Sequence, residues 1–129
     1  MAIVKNFSDI EKLRKGGAIL AKILDTISSL AVPGVATKFL EEEAARIALS
    51  QNVKPSFLGY RPHGAKEPYP AAVCVSVNDE IVHALPSEKK LAEGDILSID
   101  MGIWYDGLCV DAAITVGVGK ISQNAAKLI

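Results

Sequence analysis

The chain has 129 residues, with 14 Lys and Arg against 15 Asp and Glu, a formal net charge of −1 and a hydrophobic fraction of 50%. One hydrophobic core of ordinary domain size is expected and a disordered chain is excluded, while the balanced charge offers no basic field for nucleic acid or an anionic membrane surface. No apolar run is long enough to span a bilayer, since the longest, Gly16 to Leu24, is broken by Lys22, and Met1 to Lys5 lacks the pattern of a secretory signal.

In chain order, Ser8-Asp9-Ile10-Glu11 reads as a capping box that opens a helix. Ile10, Leu13, Gly17, Leu20, Leu24 and Ile27 then recur at steps of three and four and form its apolar stripe, leaving Lys12, Arg14, Lys15 and Lys22 on a solvated face. Val32-Pro33-Gly34-Val35 punctuates. Thr37 is expected to cap a second helix, with Glu41, Glu42 and Glu43 near its positive end, which closes near Gln51-Asn52.

From Lys54 onward the density of Pro55, Gly59, Pro62, Gly64, Pro68 and Pro70 predicts a long loop. The period then becomes two: Val73, Val75 and Val77 alternate with Cys74 and Ser76, and Asn78-Asp79-Glu80 turns into Ile81-Val82-His83, which reads as strand, turn, strand. Cys74 and Cys109 form no CxxC pair and read as free thiols of a reducing cytoplasm.

The segment Ile96 to Val118 surrounds Asp106-Gly107, a dipeptide suited to a two-residue type I′ turn. If that turn forms, facing residues have numbers totalling 213, so that Tyr105 meets Leu108, Gly102 meets Asp111 and Asp100 meets Ala113. One face then collects Leu97, Ile99, Met101, Ile103 and Tyr105 with Leu108, Val110, Ala112, Ile114 and Val116, as a core face must. The other holds Asp100 and Asp111 as diagonal neighbours, about 7 to 8 Å apart at their backbones. Gly102, directly across from Asp111, leaves space for both carboxylates to share cations, and with imidazole completing the set, oxygen ligands of this kind suit Mn, Fe, Co or Zn. Spacing alone leaves open that the two aspartates are unrelated, and that His83 is an ordinary residue near a strand end; His63 reads as one. Ser122 is expected to cap a last helix through Ala125, Ala126, Leu128 and Ile129.

These residues also carry a family pattern. Pro55-Ser56-Phe57-Leu58-Gly59-Tyr60, Tyr69-Pro70, Cys74 through Pro86, Gly94 through Gly102, Tyr105-Asp106-Gly107 and Asp111-Ala112-Ala113-Ile114-Thr115 together resemble type I methionine aminopeptidases. The resemblance implies an α+β pita-bread (creatinase/aminopeptidase) fold of two similar halves. Residues 1–129 would be the N-terminal half, two helices plus an antiparallel sheet, truncated at the C-terminus. It implies hydrolytic removal of the initiator methionine from nascent polypeptides with a small second residue, by two divalent metal ions (Co, Mn, Fe or Zn) that activate water.

By the same resemblance Asp100 chelates one metal and Asp111 bridges two, with a histidine and two glutamates from the second half completing the set. His83 contacts substrate and stabilises the transition state, and Phe57, Tyr60, Tyr69 and Cys74 line the methionine pocket. Arg61 to Pro68 is longer than in the shorter family members, and Ala84-Leu85 stands where Gly-Ile is usual. A cytoplasmic, monomeric enzyme acting near the ribosome is the expectation, with the 129-residue chain inactive by itself. The competing expectation is a non-catalytic pita-bread relative that binds a peptide or the ribosome.

Overall fold

The apolar stripe of the first helix has to be buried, and the computed structural model, which describes Val4 and residues 6–129, buries all but its start in α1 (Phe7–Ser29) against a sheet, with Ile10 left exposed. The Met1 to Lys5 segment, read above for a secretory signal, lies outside the described residues except for Val4. α1 starts two residues earlier than a Ser8 cap predicts. Its cap is Asn6, whose side-chain oxygen accepts from the Asp9 N–H at 2.7 Å while its amide donates to the Asp9 carboxylate, and Glu11 pairs with Arg14 instead. Asparagine caps as well as serine, and Asp9 stands at the position that reaches back to it.

The buried side of α1 is Gly16, Leu20, Ile23, Leu24 and Ile27, so the closest approach to the sheet falls on Gly16 rather than Gly17. A Cβ at Gly16 would lie 3.1 Å from Tyr105 Cβ and 3.4 Å from Val110, whereas Gly17 has nothing within 4 Å. Lys12 is not simply solvated, because its ammonium reaches Asp106 at the hairpin tip, 3.2 Å away.

α2 (Thr37–Ser50) ends where the sequence predicts, with Gln51 as its C-cap. Thr37 is not its cap: Ala36 precedes the helix without a side-chain bond, and no acidic residue falls in the first turn. The Thr37 hydroxyl is buried and tied to Ser87, accepting from its N–H at 2.9 Å and donating to its carbonyl at 3.1 Å. A polar group taken out of water needs such partners, and here they anchor the 87–91 segment to the helix.

The sheet is built on β3 (Ile96–Tyr105). β4 (Leu108–Gly117) runs antiparallel along one whole edge of it, and the other edge is shared end to end by β2 (Cys74–Val77) and the short β1 (Lys54–Pro55). The β3–β4 pairs run from Ile96↔Gly117 to Tyr105↔Leu108, the register expected from the Asp106-Gly107 turn, whose residues have φ of 47° and 83°. Two expectations fail. Lys54-Pro55 is a strand, with proline tolerated because only one side of β1 is paired. Ile81-Val82-His83 is not one: β2 takes β3 as its partner, and it is joined to the following segment by the turn bonds between Val77 and Glu80 and by the Val75 N–H to Ala84 carbonyl bond rather than by a ladder. The Asn78 turn is spent on other partners, with its side chain bonded to Asp95 and to the Ile96 N–H, both at 2.9 Å.

Leu97, Ile99, Met101 and Ile103, with Val75 and Val77 beside them, meet α1 and the Leu40, Ala44 and Ile47 side of α2 in one core. Both long helices therefore lie on one face and leave the other open. α3 (Gln123–Leu128) is capped by Ser122, as expected, through the Ala125 N–H at 3.1 Å. Among the described residues no helix is long and apolar enough to cross a membrane.

The two adjacent glycines of α1 separate in a stability measurement. Gly17→Ala should raise the unfolding free energy by about 0.5–1 kcal/mol through helix propensity alone, whereas Gly16→Leu should lower it by about 1–3 kcal/mol through overpacking against Tyr105 and Val110. Urea midpoints of the two variants check both signs.

Candidate metal and substrate site

The open face of the sheet is where the polar residues of the hairpin gather. Asp100 faces Cys74 on one side and Ala113 on the other, and Gly102 faces Asp111, so Asp100 and Asp111 project from the same face as diagonal neighbours. Gly102 is what leaves room between strands. A Cβ there would overlap Ser56 Oγ and come within 3.1 Å of Asp111 Oδ2 and 3.2 Å of Phe57 Cε1.

The surroundings of the two carboxylates differ. Asp111 is exposed to the cleft described below, while Asp100 is partly covered and its Oδ1 is buried without a hydrogen-bond partner. Burial raises the Asp100 pKa above the ordinary carboxylate range, the negative Asp111 raises it further, and His83 opposes both. Repulsion between the aspartates acts in the same direction as desolvation and is second to it.

Above this face lies a cleft of about 770 Å³. Phe57, Tyr60, Tyr69, Cys74 and His83 all line it together with Asp111, although they come from the proline-rich loop, β2, the segment after β2, and β4. Asp100 does not reach the lining, and His63 is exposed elsewhere on the loop. The Phe57 and Tyr69 rings meet edge to face at 6.4 Å. The loop is pinned at its neck by Gly59 N–H to Tyr69 carbonyl and Tyr69 N–H to Tyr60 carbonyl bonds, both 2.8 Å, so the Arg61–Pro68 segment stands as a wall carrying Pro62, Ala65 and Glu67 into the cleft.

Burial pushes both the Cys74 thiol and the Tyr69 phenol upward, and their neighbours Asp100 and Asp111 add to the Cys74 shift. Both groups therefore stay neutral at physiological pH, and this wall is apolar in character despite its heteroatoms. His83 holds a left-handed backbone conformation, φ 59°, which costs of order 1 kcal/mol for a residue with a Cβ.

Sequence reasoning missed several lining residues. Trp104 and Cys109 face each other on the hairpin's polar face and follow from its register, so the signal was present. Ser56 and Leu85 were not accessible that way, because both lie outside the hairpin, Ser56 being brought in by its N–H bond to the Gly102 carbonyl. Among the described residues no group of three or more His, Cys, Asp or Glu is placed to hold a metal ion, so the aspartates form part of a ligand set at most.

The raised Asp100 pKa has a signed consequence for the metal-free protein. A carboxyl that binds its proton more tightly folded than unfolded favours the fold at low pH, and that contribution is lost as pH rises from the ordinary carboxylate value through the folded one. Asp100→Asn should therefore stabilise the metal-free chain at pH 7 and lose that advantage near pH 3, which thermal melts at the two pH values would show.

Residues 11–129 match the metallopeptidase family M24. The chain is 48% identical over 122 residues to a methionine aminopeptidase of Aquifex aeolicus, covering 94% of this chain and 47% of that protein. With a methionine aminopeptidase of Clostridium acetobutylicum it shares 41% identity over 130 residues, covering 100% of this chain and 50% of that one. The crystal structure of methionine aminopeptidase from Thermotoga maritima superposes with a TM-score of 0.90 at 40% identity, covering all of this chain and 50% of the other. The chain thus spans about half the length of the relatives it matches, its architecture is that of half a pita-bread fold, and it belongs to the metallopeptidase family M24.

Proposed function

We propose that residues 1–129 act as the N-terminal half of a metal-dependent aminopeptidase domain that hydrolyses the bond following an N-terminal methionine with a small neighbour. The observation that carries this is the joint placement of Asp100 and Asp111 on one sheet face, about the space over Gly102, beneath an apolar cleft. The relatives named methionine aminopeptidase support the reaction class.

The residues present fit divalent cations. Asp100 Oδ1 is a buried anionic oxygen without a donor, the situation that a cation relieves, and Gly102 keeps the space beside Asp111 open. Asp100 would hold one ion and Asp111 would bridge two, drawn from Co, Mn, Fe or Zn, with the remaining ligands supplied from outside the described residues. Two cations bound there supply an acidified water and polarise a carbonyl oxygen.

The chain's own residues do the rest. Phe57, Tyr60, Tyr69 and Cys74 offer a neutral, polarizable wall to a thioether side chain and hold water away from it. His83, on the cleft beside Asp111, presents its ring to the backbone of the bound peptide, where a hydrogen bond stabilises charge developing at the scissile carbonyl. Both cysteines are free, which suits a reducing compartment, and we place the reaction in the cytoplasm, on nascent chains near the ribosome, by a monomeric enzyme.

Two measurements test this reading. In the natural protein carrying this sequence, His83→Ala should lower kcat by about 10²-fold or more with its metal content unchanged; loss of the metals themselves would make His83 a ligand. The isolated 129-residue chain, incubated with Co or Mn and a peptide beginning Met-Ala, should release no methionine, because two carboxylates supply less than the about four ligands that each ion requires. Turnover matching that of the Aquifex aeolicus relative would contradict the half-site reading.

A further inference from the structure

One hydroxyl at the site has no role in the mechanism above. Ser56 directly follows β1, and its backbone N–H donates to the Gly102 carbonyl at 2.8 Å, so it lies beside Gly102 on the edge of β3 opposite to β4. Asp111 lies beside the same glycine on the β4 edge. The three residues form a row across the sheet whose middle member has no side chain, and the outer two point into the space this leaves. A Cβ placed on Gly102 would overlap Ser56 Oγ and lie 3.1 Å from Asp111 Oδ2.

Ser56 Oγ is also one of only two buried side-chain oxygen or nitrogen atoms without a hydrogen-bond partner among the described residues, and the other is Asp100 Oδ1 at the same site. A buried hydroxyl left unpaired costs stability, and an alanine at this position would avoid the cost. Its proton has one obvious destination, the carboxylate that shares the space over Gly102. We propose that Ser56 is a positioning residue: its hydroxyl, unpaired in the metal-free chain, donates to Asp111 Oδ2 across the space over Gly102 once cations are bound, and so fixes the orientation in which that carboxylate holds them. The inference rests on Asp111 being a metal ligand, as proposed above.

A hydrogen bond to a ligating carboxylate orients it and reduces the freedom lost when the metal binds. Ser56 thereby links β1, which the proline-rich loop continues, to a ligand on β4 with which it shares no strand pairing. It also explains Gly102 from a second direction: any side chain there would separate the donor from its acceptor.

The test is a calorimetric titration of Co into the metal-stripped natural protein, for wild type, Ser56→Ala, Ser56→Thr and Asp111→Asn, with apo melting temperatures recorded in parallel. Ser56→Ala should weaken Co binding about 10-fold or more while leaving the apo melting temperature unchanged or higher. Ser56→Thr, which keeps the hydroxyl, should bind nearly as wild type. Undiminished Co affinity in Ser56→Ala overturns the positioning role, and so does a drop in apo melting temperature accompanying the affinity loss, which would make Ser56 merely structural. Undiminished affinity in Asp111→Asn overturns the metal reading beneath it, a result distinguishable from either of these.

Discussion

The pairing of β3 with β4 around Asp106-Gly107 is the constraint on which the rest of this molecule depends. Side chains on a strand alternate, so the register that seats Leu97, Ile99, Met101 and Ile103 in the core is the same register that sends Asp100, Gly102 and Asp111 to the open face. A slip of one residue would bury the aspartates and expose the core in one movement. The hydrophobic effect acting on one face thus holds the chemistry on the other. The turn that starts the register is supported from outside by the ion pair from Lys12 of α1.

The open face carries costs that the helix-covered face does not. Asp100 has a buried oxygen without a donor, Ser56 a hydroxyl without an acceptor, and His83 a strained backbone. Each is unfavourable on its own terms, and all three lie on or beneath one cleft, whereas on the helix side Thr37 and the N-terminus of α1 have their partners. A concentration of unpaired groups in one place is expected where a fold gives up local stability to prepare for something it binds. Carboxylates held near one another at partial burial are prepared for cations in this sense.

The long loop between β1 and β2 adds the walls. Its many prolines prevent a regular element, and the bonds that pinch it between Tyr60 and Tyr69 convert it from a loose connection into a shaped rim. The Arg61–Pro68 segment contributes Pro62, Ala65 and Glu67 to the cleft, so the entrance is built partly from this loop.

Local rules in the sequence were enough to determine α1 and α2 approximately, the loop, the whole hairpin register and the common face of Asp100 and Asp111, because periodicity and a two-residue turn act between near neighbours. The same register already held Trp104 and Cys109. Where two local solutions were equivalent, as with Asn6 against Ser8 or Gly16 against Gly17, only packing chose between them. Tertiary structure alone decided that β2 joins β3 instead of folding back on Ile81-Val82-His83, that Thr37 serves Ser87 rather than its own helix, and that Ser56 arrives beside Gly102. These contacts join residues 20 to 50 positions apart, and their free energy comes from burial and hydrogen bonds that exist only once the chain has closed on itself.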